Sequence, residues 1–427
     1  MNKTLYQRAC RVIFGQELGA RTQKFLSHIA ASFTGGLSAF ALLFITNMIV
    51  ARILGPEEYG RYTVFFSCAQ FLALFFVLEL DVSALYFLGK KSVQHIQRIH
   101  SALMHLFAIN ITLFSVIAVV VYYVYDFQTI SLMSFVGVIV MAFSFAFKRM
   151  IDAFLRAEKK FSIQSGLRFA EAISVIASVG MIFYFLEYKS FYGYVYSIIF
   201  GGVVFCVVGG FFVRTVFVWK KWHAKTTKKI FRYTIRGVIN TCVNGIVKNT
   251  DKFLIVGLLG ASTVGLYAVY FTASVTIGAR LTQLFINVFF PSVRSNVSNR
   301  ARIYAKINTM VVRFFVPLVI CASLGVAGIV FLYGHAYAFI WLWVVLCGVY
   351  IAVHFCASLY GWFLSSISTR GYTLYNISFL YGIAGYIAVI GVSSVAGIFS
   401  VPVFFVALIV YRFISGVFCF YHVRGLL

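Results

Sequence analysis

Acidic residues are scarce in this chain: 11 Asp and Glu stand against 36 Lys and Arg in 427 residues, and charged residues of both signs make up only 11%. Proline is nearly absent, at 4. So few charges beside 62% hydrophobic residues exclude a soluble multidomain protein. Apolar runs of 18 or more residues recur along nearly the whole length, and runs of that length are read as membrane spans. Lipid cannot satisfy exposed backbone groups, so the spans are helices or a closed barrel. The runs are continuous rather than alternating, which excludes the barrel. Paired cysteine spacing is also missing. Of the 8 cysteines, Cys10 lies in a basic tail, and Cys68, Cys206, Cys242, Cys321, Cys347, Cys356 and Cys419 lie inside apolar runs. They form neither a disulfide framework nor a zinc site, and read as small buried hydrophobes.

No catalytic constellation is present. A GxxxxGK[ST] phosphate loop is lacking, so this chain does not hydrolyse ATP. The connections are too short to house a soluble catalytic domain, and no His and carboxylates sit together in an extramembrane segment. The expectation is a protein that is not an enzyme, with no cofactor and no metal. A membrane-embedded sugar polymerase or ligase would need a large external loop carrying catalytic residues, and there is none.

What is there is a doubled segment. Leu54-Gly55-Pro56-Glu57-Glu58-Tyr59-Gly60-Arg61-Tyr62 returns 205 positions later as Leu259-Gly260-Ala261-Ser262-Thr263-Val264-Gly265-Leu266-Tyr267. Leu-Gly and Gly-x-Tyr keep the same spacing, and Val64 and Phe66 match Val269 and Phe271. A period near half the chain length marks one unit built twice. In membrane chains that architecture is typical of transporters.

The pattern predicts an all-α membrane protein of twelve helices, near 27–50, 62–88, 102–125, 130–147, 166–186, 191–214, 237–258, 264–291, 309–333, 337–360, 373–393 and 399–421. The connections alternate in charge. Lys90, Lys91 and Arg98 fall on one side, followed there by Lys148, Arg149, Arg156, Lys159 and Lys160. Lys220, Lys221, Lys225, Lys228, Lys229, Arg232 and Arg236 come next, then Arg294, Arg300, Arg302 and Lys306, and finally Arg370. The other set is short and nearly neutral, with only the first turn noticeably charged through Arg52, Glu57, Glu58 and Arg61. The positive-inside rule puts the basic set and both termini in the cytoplasm. The net charge of +25 is thus spread over membrane connections rather than gathered for nucleic acid. Residues 1–25 form a basic cytoplasmic segment on the anionic leaflet, without the pattern of a cleaved signal peptide. Residues 26–217 then form a first six-helix lobe, 218–236 a basic linker, and 237–427 a second lobe. Six helices per lobe make the repeat parallel, about an axis along the membrane normal.

Charges inside the spans are the functional signal, because each costs roughly 2.5–3.5 kcal/mol at a helix centre by insertion scales. Asn240, Asn244, Lys248 and Asp251 step by four, four and three along the seventh helix and share one face. Lys248 is about 16 Å deep, near the midplane. Either it pairs with Asp251 and merely holds the fold, or the stripe faces a watery cavity and Lys248 meets an anionic substrate. Net positive charge, with Lys252 nearer the outer end adding to it, favours the second reading. Arg280, Gln283 and Asn287 continue the pattern on the eighth helix. Glu79 and Asp81 sit at similar depth on the second helix, where one of them pairs with Arg280 as a gate or both snorkel to the interface. Arg168 and Glu171 are three apart and neutralise each other in the bland reading; both join Asp251, Glu79 and Asp81 as gating or ion-coupling candidates. Arg313 snorkels. His354 reads as a hydrogen-bonded core residue before a proton relay.

Two segments resemble a known family. Ile49-Val50-Ala51-Arg52-Ile53-Leu54-Gly55-Pro56-Glu57-Glu58-Tyr59-Gly60-Arg61-Tyr62 is similar to the signature after the first helix of the polysaccharide transporter family. These are the Wzx-type oligosaccharide flippases of the superfamily that also holds MATE exporters and the lipid II flippase. Asp251-Lys252-Phe253-Leu254 with Leu259-Gly260 and Gly265-x-Tyr267 is similar to that family's seventh-helix signature. Val82 departs from it, standing where relatives often carry Gly. The resemblance implies two six-helix lobes around a cationic cavity. It further implies flipping of undecaprenyl-pyrophosphate-linked repeat units across the bacterial cytoplasmic membrane for O-antigen, capsule or exopolysaccharide. Alternating access, coupling to an ion gradient, and polysaccharide polymerase and chain-length regulator partners are implied as well. The binding charges would be Lys248 and Arg280, with Asn240 and Asn244 beside them. The alternative is a MATE-like ion-coupled exporter of small molecules, which needs acidic residues in the cavity; Glu79, Asp81, Glu171 and Asp251 are the ones at membrane depth.

Overall fold

The computed structural model describes residues 20–88, 93–124, 131–158, 160–213, 223–282, 286 and 300–426. Every regular element among them is helical. In chain order they are α1 (Ala20–Val77), α2 (Leu80–Leu88), α3 (Val93–Val124), α4 (Leu132–Ala157), α5 (Phe161–Gly180) and α6 (Phe191–Phe212). Then follow α7 (Ala224–Leu259), α8 (Ala261–Phe271), α9 (Arg300–Tyr333), α10 (Trp341–Ile367), α11 (Thr369–Val395) and α12 (Val401–Arg424). One π turn, Met181–Phe185, extends α5, and another, Thr272–Thr276, extends α8.

Ten helical stretches among the described residues are long and apolar enough to cross a bilayer, so the chain is a multi-pass membrane protein. The sequence pattern places twelve. The difference has two sources. Gly36–Val77 is counted once although its 42 residues run about 63 Å, twice a hydrocarbon core, and bend at Gly55. α7 is too polar to qualify on hydropathy. Several helices also overrun their expected ends. α4 continues to Ala157, α7 begins at Ala224 inside the expected linker, and α9 begins at Arg300. Hydropathy marks only the part of a helix that lipid surrounds, and a helix does not stop there. The basic segment 1–19 and residues Gln283 and Asn287 lie outside the described residues.

The doubled segment takes the same backbone shape in both copies. Gly55 has φ 74°, ψ 173°, and Gly260 has φ 86°, ψ 168°. A side chain is strained at such angles, so glycine is required at both breaks. Each break starts a new helix, with Pro56 in the first copy sitting where a missing N–H costs nothing. The two new helices then cross at Gly60 and Gly265. A Cβ on Gly60 would lie 1.8 Å from the Ala261 carbonyl oxygen, and one on Gly265 would lie 1.8 Å from that of Pro56. Since 261 and 265 are the repeats of 56 and 60, this contact is reciprocal: the two copies pack on each other, backbone against backbone.

Polar groups extend the seam at that end. Tyr337 donates to the Ala51 carbonyl at 2.8 Å, and Asn47 donates to Tyr59 at 2.8 Å and to Tyr333 at 3.3 Å. Tyr194 of α6 donates to the Asn47 side-chain oxygen at 3.2 Å. The charges of the first turn have a local use. Glu58 accepts from the Phe191 backbone N–H at 3.1 Å at the start of α6, while Arg61 pairs with Glu57 at 2.7 Å and Glu58 at 3.1 Å. A carboxylate there complements the positive end of the helix.

Farther along, the helix breaks again between α1 and α2, where Leu78 (φ 38°) and Glu79 (φ 63°) take left-handed conformations. For such residues this costs on the order of 1–3 kcal/mol each. The strain redirects α2 onto α7. Thr241 donates to the Glu79 carboxylate, the Ser83 and Thr234 hydroxyls meet at 2.8 Å, and Tyr86 stacks on Tyr233 at 4.5 Å. The halves are therefore joined at both ends of the stretch from Gly60 to Tyr86.

The first half answers its buried acids one by one. Asp81 pairs with Arg149 at 2.9 Å, Glu171 with Lys148 at 2.5 Å, and Asp152 with Arg168 at 2.7 Å. Gln164 adds a donor to Asp152 at 2.9 Å. This corrects two expected pairings: Asp81 does not meet Arg280, and Glu171 does not meet Arg168. Spacing within one helix suggested partners, but α4 runs past its expected end and brings Lys148, Arg149 and Asp152 against α2 and α5.

Two outcomes test this account. Gly60→Ala should lower the thermal midpoint of the purified protein in detergent, at a cost of about 1–3 kcal/mol for an overpacked contact, whereas Gly257→Ala, with nothing within 4 Å of its added carbon, should not. Lys148→Met should destabilise by roughly 3 kcal/mol by stranding Glu171, and the double change Lys148→Met with Glu171→Gln should recover most of it. A double change that adds to the loss would disprove the pairing.

Candidate functional site

Charge is distributed differently in the second half. Asp251 is fully buried, accepting from Tyr267, from the Lys252 backbone N–H at 2.9 Å and from the Lys252 ammonium at 3.1 Å. Lys252 is buried too. It donates to the Lys248 carbonyl at 2.5 Å and lies 3.8 Å from the Phe271 ring centroid. The bland reading of the stripe, Lys248 paired with Asp251, is not what forms: Asp251 pairs with its neighbour Lys252, which is buried and spends its charge there instead of adding it to the stripe. The i,i+3 spacing of Lys248 and Asp251 allowed contact, but Tyr267 of α8 and Lys252 take the Asp251 oxygens.

Lys248 is thereby left over. Its side chain is exposed, yet Arg412 of α12, Arg149 of α4 and Arg280 beyond α8 all lie close enough for their charges to act on its ammonium. Among the described residues no carboxylate lies within 4.0 Å of Lys248, Arg280 or Arg412. Arg280, also exposed, lies 5.6 Å from the Phe40 ring of α1 and within range of Arg168 and Asp152. It bridges the other seam. Three uncompensated cations on three helical segments are tolerable at membrane depth only where water or an anion reaches them.

Asn240 and Asn244 lie on α7, and their side chains fall outside the described residues. Glu79 and Asp81 both serve the α2 junction, Asp81 toward α4 and Glu79 toward α7. Arg168 and Glu171 each belong to a pair with α4. His354 is buried, stacks on Tyr350 at 5.7 Å, and leaves Nδ1 without a partner among the described residues. Arg313 is exposed on α9, beside an open concavity of about 590 Å³ lined by Asn308, Thr309 and Val312 of the same helix. One helix brings no groups together, so this concavity carries less weight than the converging cations. Arg412 is missing from the sequence-based set. The signal was available: it is the lone charge between Val401 and Tyr421 in an apolar run.

The model of the polysaccharide biosynthesis protein family matches residues 25–297. No curated protein matches the chain. Among solved structures, a multidrug resistance MATE family transporter of the MOP superfamily in an inward-facing conformation aligns with a TM-score of 0.62 at 12% identity, covering 93% of this chain and 97% of that one. A MOP superfamily transporter from Pyrococcus furiosus, described as having a binding pocket of reverse polarity, aligns at 0.55 and 12%, covering 93% and 94%. The eukaryotic MATE transporter AtDTX14 aligns at 0.55 and 13%, covering 95% and 96%. At these identities the likeness establishes the fold. The chain belongs to the polysaccharide biosynthesis protein family and has the fold seen in these MOP superfamily structures.

Proposed function

We propose that this protein flips an undecaprenyl-pyrophosphate-linked oligosaccharide across the bacterial cytoplasmic membrane, for assembly of a surface polysaccharide such as O-antigen, capsule or exopolysaccharide. The observation that carries the proposal is the contrast between the halves. Asp81, Glu171 and Asp152 of the first are matched by Arg149, Lys148 and Arg168, while Lys248, Arg280 and Arg412 of the second have no carboxylate within 4.0 Å among the described residues. A lipid-linked sugar carries its negative charge in one compact phosphate group, and fixed cations at membrane depth attract it. The sugar needs a wet passage between the lobes, formed by residues 26–217 and 237–427, and the lipid tail stays in the bilayer. Alternating access follows from two-ended joining: the Gly60–Gly265 crossing and the Glu79–Thr241 contact are released in turn. Asn240 and Asn244 sit on the same α7 face as Lys248 by their spacing and are assigned to the sugar-phosphate. Coupling to an ion gradient and contacts with the polymerase and chain-length regulator belong to the same reading.

A small-molecule exporter of organic cations would need a free carboxylate in the cavity. Among the described acids at membrane depth, Asp81, Asp152, Glu171 and Asp251 each hold a basic partner, and Glu79 takes the Thr241 hydroxyl. That favours the anion.

In a strain lacking its own flippase, Lys248→Gln should reduce surface polysaccharide at least about tenfold at equal expression, as loss of one charge-assisted contact predicts. Lys248→Arg should retain a substantial part. Full activity of the Gln variant would remove Lys248 from substrate binding.

A further inference from the structure

The break between α1 and α2 has no cause in its own sequence. Sharp helix breaks arise at proline, at glycine, or where a π turn or an inserted group interrupts the hydrogen bonding. Val77-Leu78-Glu79-Leu80 contains neither proline nor glycine. Leucine and glutamate are good helix formers, and the apolar pattern predicts one continuous helix over 62–88. Instead Leu78 (φ 38°) and Glu79 (φ 63°) stand left-handed side by side. The other left-handed residue besides glycine among the described residues, Glu187, lies in the connection between α5 and α6. A strained pair among helix-forming residues persists only where the surroundings impose it.

Those surroundings belong to the second half. Thr234, Gly237, Thr241 and Gly245 step by three, four and four and share one face of α7. Thr241 donates to the Glu79 carboxylate, and a Cβ on Gly237 would lie only 3.0 Å from the Glu79 Cγ and Oε2. On α2 the Ser83 and Thr234 hydroxyls meet at 2.8 Å, and Tyr86 stacks on Tyr233 at 4.5 Å. Before the break, Gly245 leaves room for the Leu74 side chain, which an added Cβ would strike. All of these contacts hold the bent helix against α7. The Asp81–Arg149 pair lies within the first half and ends on a long, partly exposed arginine that can follow a displacement of α2.

We propose that Leu78 and Glu79 form a strained hinge that drives the α2–α7 seam open. Held on α7, the hinge is bent. Once the α7 contacts are released, both residues return to the right-handed conformation, 62–88 becomes a single helix, and α2 is carried off α7. Local helix preference favours the straight form and the contacts with α7 favour the bent one, so the seam has two discrete arrangements. The seam at Gly60–Gly265 holds no comparable strain, because its breaks fall on Gly55 and Gly260, and glycine takes positive φ freely. The hinge rests on the reading in which the two seams release in turn, and it is independent of the cargo.

The test follows alkylation of Ser83→Cys by N-ethylmaleimide in the purified full-length protein in detergent, with the labelled peptide resolved by mass spectrometry. Ser83 is fully buried, so the rate reports the fraction of molecules with this seam open. Leu78→Gly eases the bent form and weakens the straight helix, and should slow alkylation about tenfold or more. Leu78→Asn, whose side chain tolerates left-handed backbone, should slow it less and decides the matter should the Gly variant not fold. Thr241→Val removes the donor to Glu79 and should speed alkylation several-fold. An unchanged or faster rate in the folded Leu78 variants overturns the hinge, and the two-seam reading survives that result provided Thr241→Val still speeds the reaction. A cysteine at position 83 that stays unreactive in every variant removes the opening of this seam and the hinge with it.

Discussion

A charge at membrane depth has to be answered by another group, because hydrocarbon offers none. The arrangement of α1–α12 follows that constraint closely. In the first half the answer is internal: α4 overruns its apolar stretch to deliver Lys148, Arg149 and Asp152 to acids and bases on α2 and α5. In the second half the answer is internal only for Asp251, which holds Lys252 and Tyr267. Lys248, Arg280 and Arg412 remain, with no carboxylate within 4.0 Å among the described residues.

The duplication makes this asymmetry visible residue by residue. Gly55 and Gly260 break the helix with nearly the same angles, and Gly60 and Gly265 cross in mutual contact. One residue ring away the copies diverge. Where the second has Asp251 and Lys252, the first has Thr46 and Asn47. Thr46 donates to the Leu42 carbonyl at 2.8 Å, and Asn47 joins Tyr59, Tyr194 and Tyr333. A neutral polar pair thus does for one copy what an ion pair does for the other. At the position of Lys248 the first copy has Leu43. The backbone repeat and the charge pattern were free to separate, since the crossing needs only small residues and no particular charge.

How much of the site is legible in the sequence depends on whether its partners are local. Lys248 and Arg280 stand out as charges in apolar runs, and Arg412 would by the same criterion. The partners of Asp81, Glu171 and Asp251 do not. A spacing of three or four residues shows what can touch on one helix, while the partners actually taken come from α4, from the next residue, and from a helix that crosses. The helices extend past their expected ends for a related reason, since hydropathy reports the lipid boundary and hydrogen bonding carries α4, α7 and α9 beyond it.

By itself the sequence determined the class of protein, the repeat of 205 residues and the excess of cations, because these depend on composition and order alone. Only the tertiary structure decided which of those cations are neutralised. Neutralisation requires a carboxylate within a few ångströms, and that distance is set by how α2, α4 and α5 pack and by how the Gly60–Gly265 crossing brings the halves together.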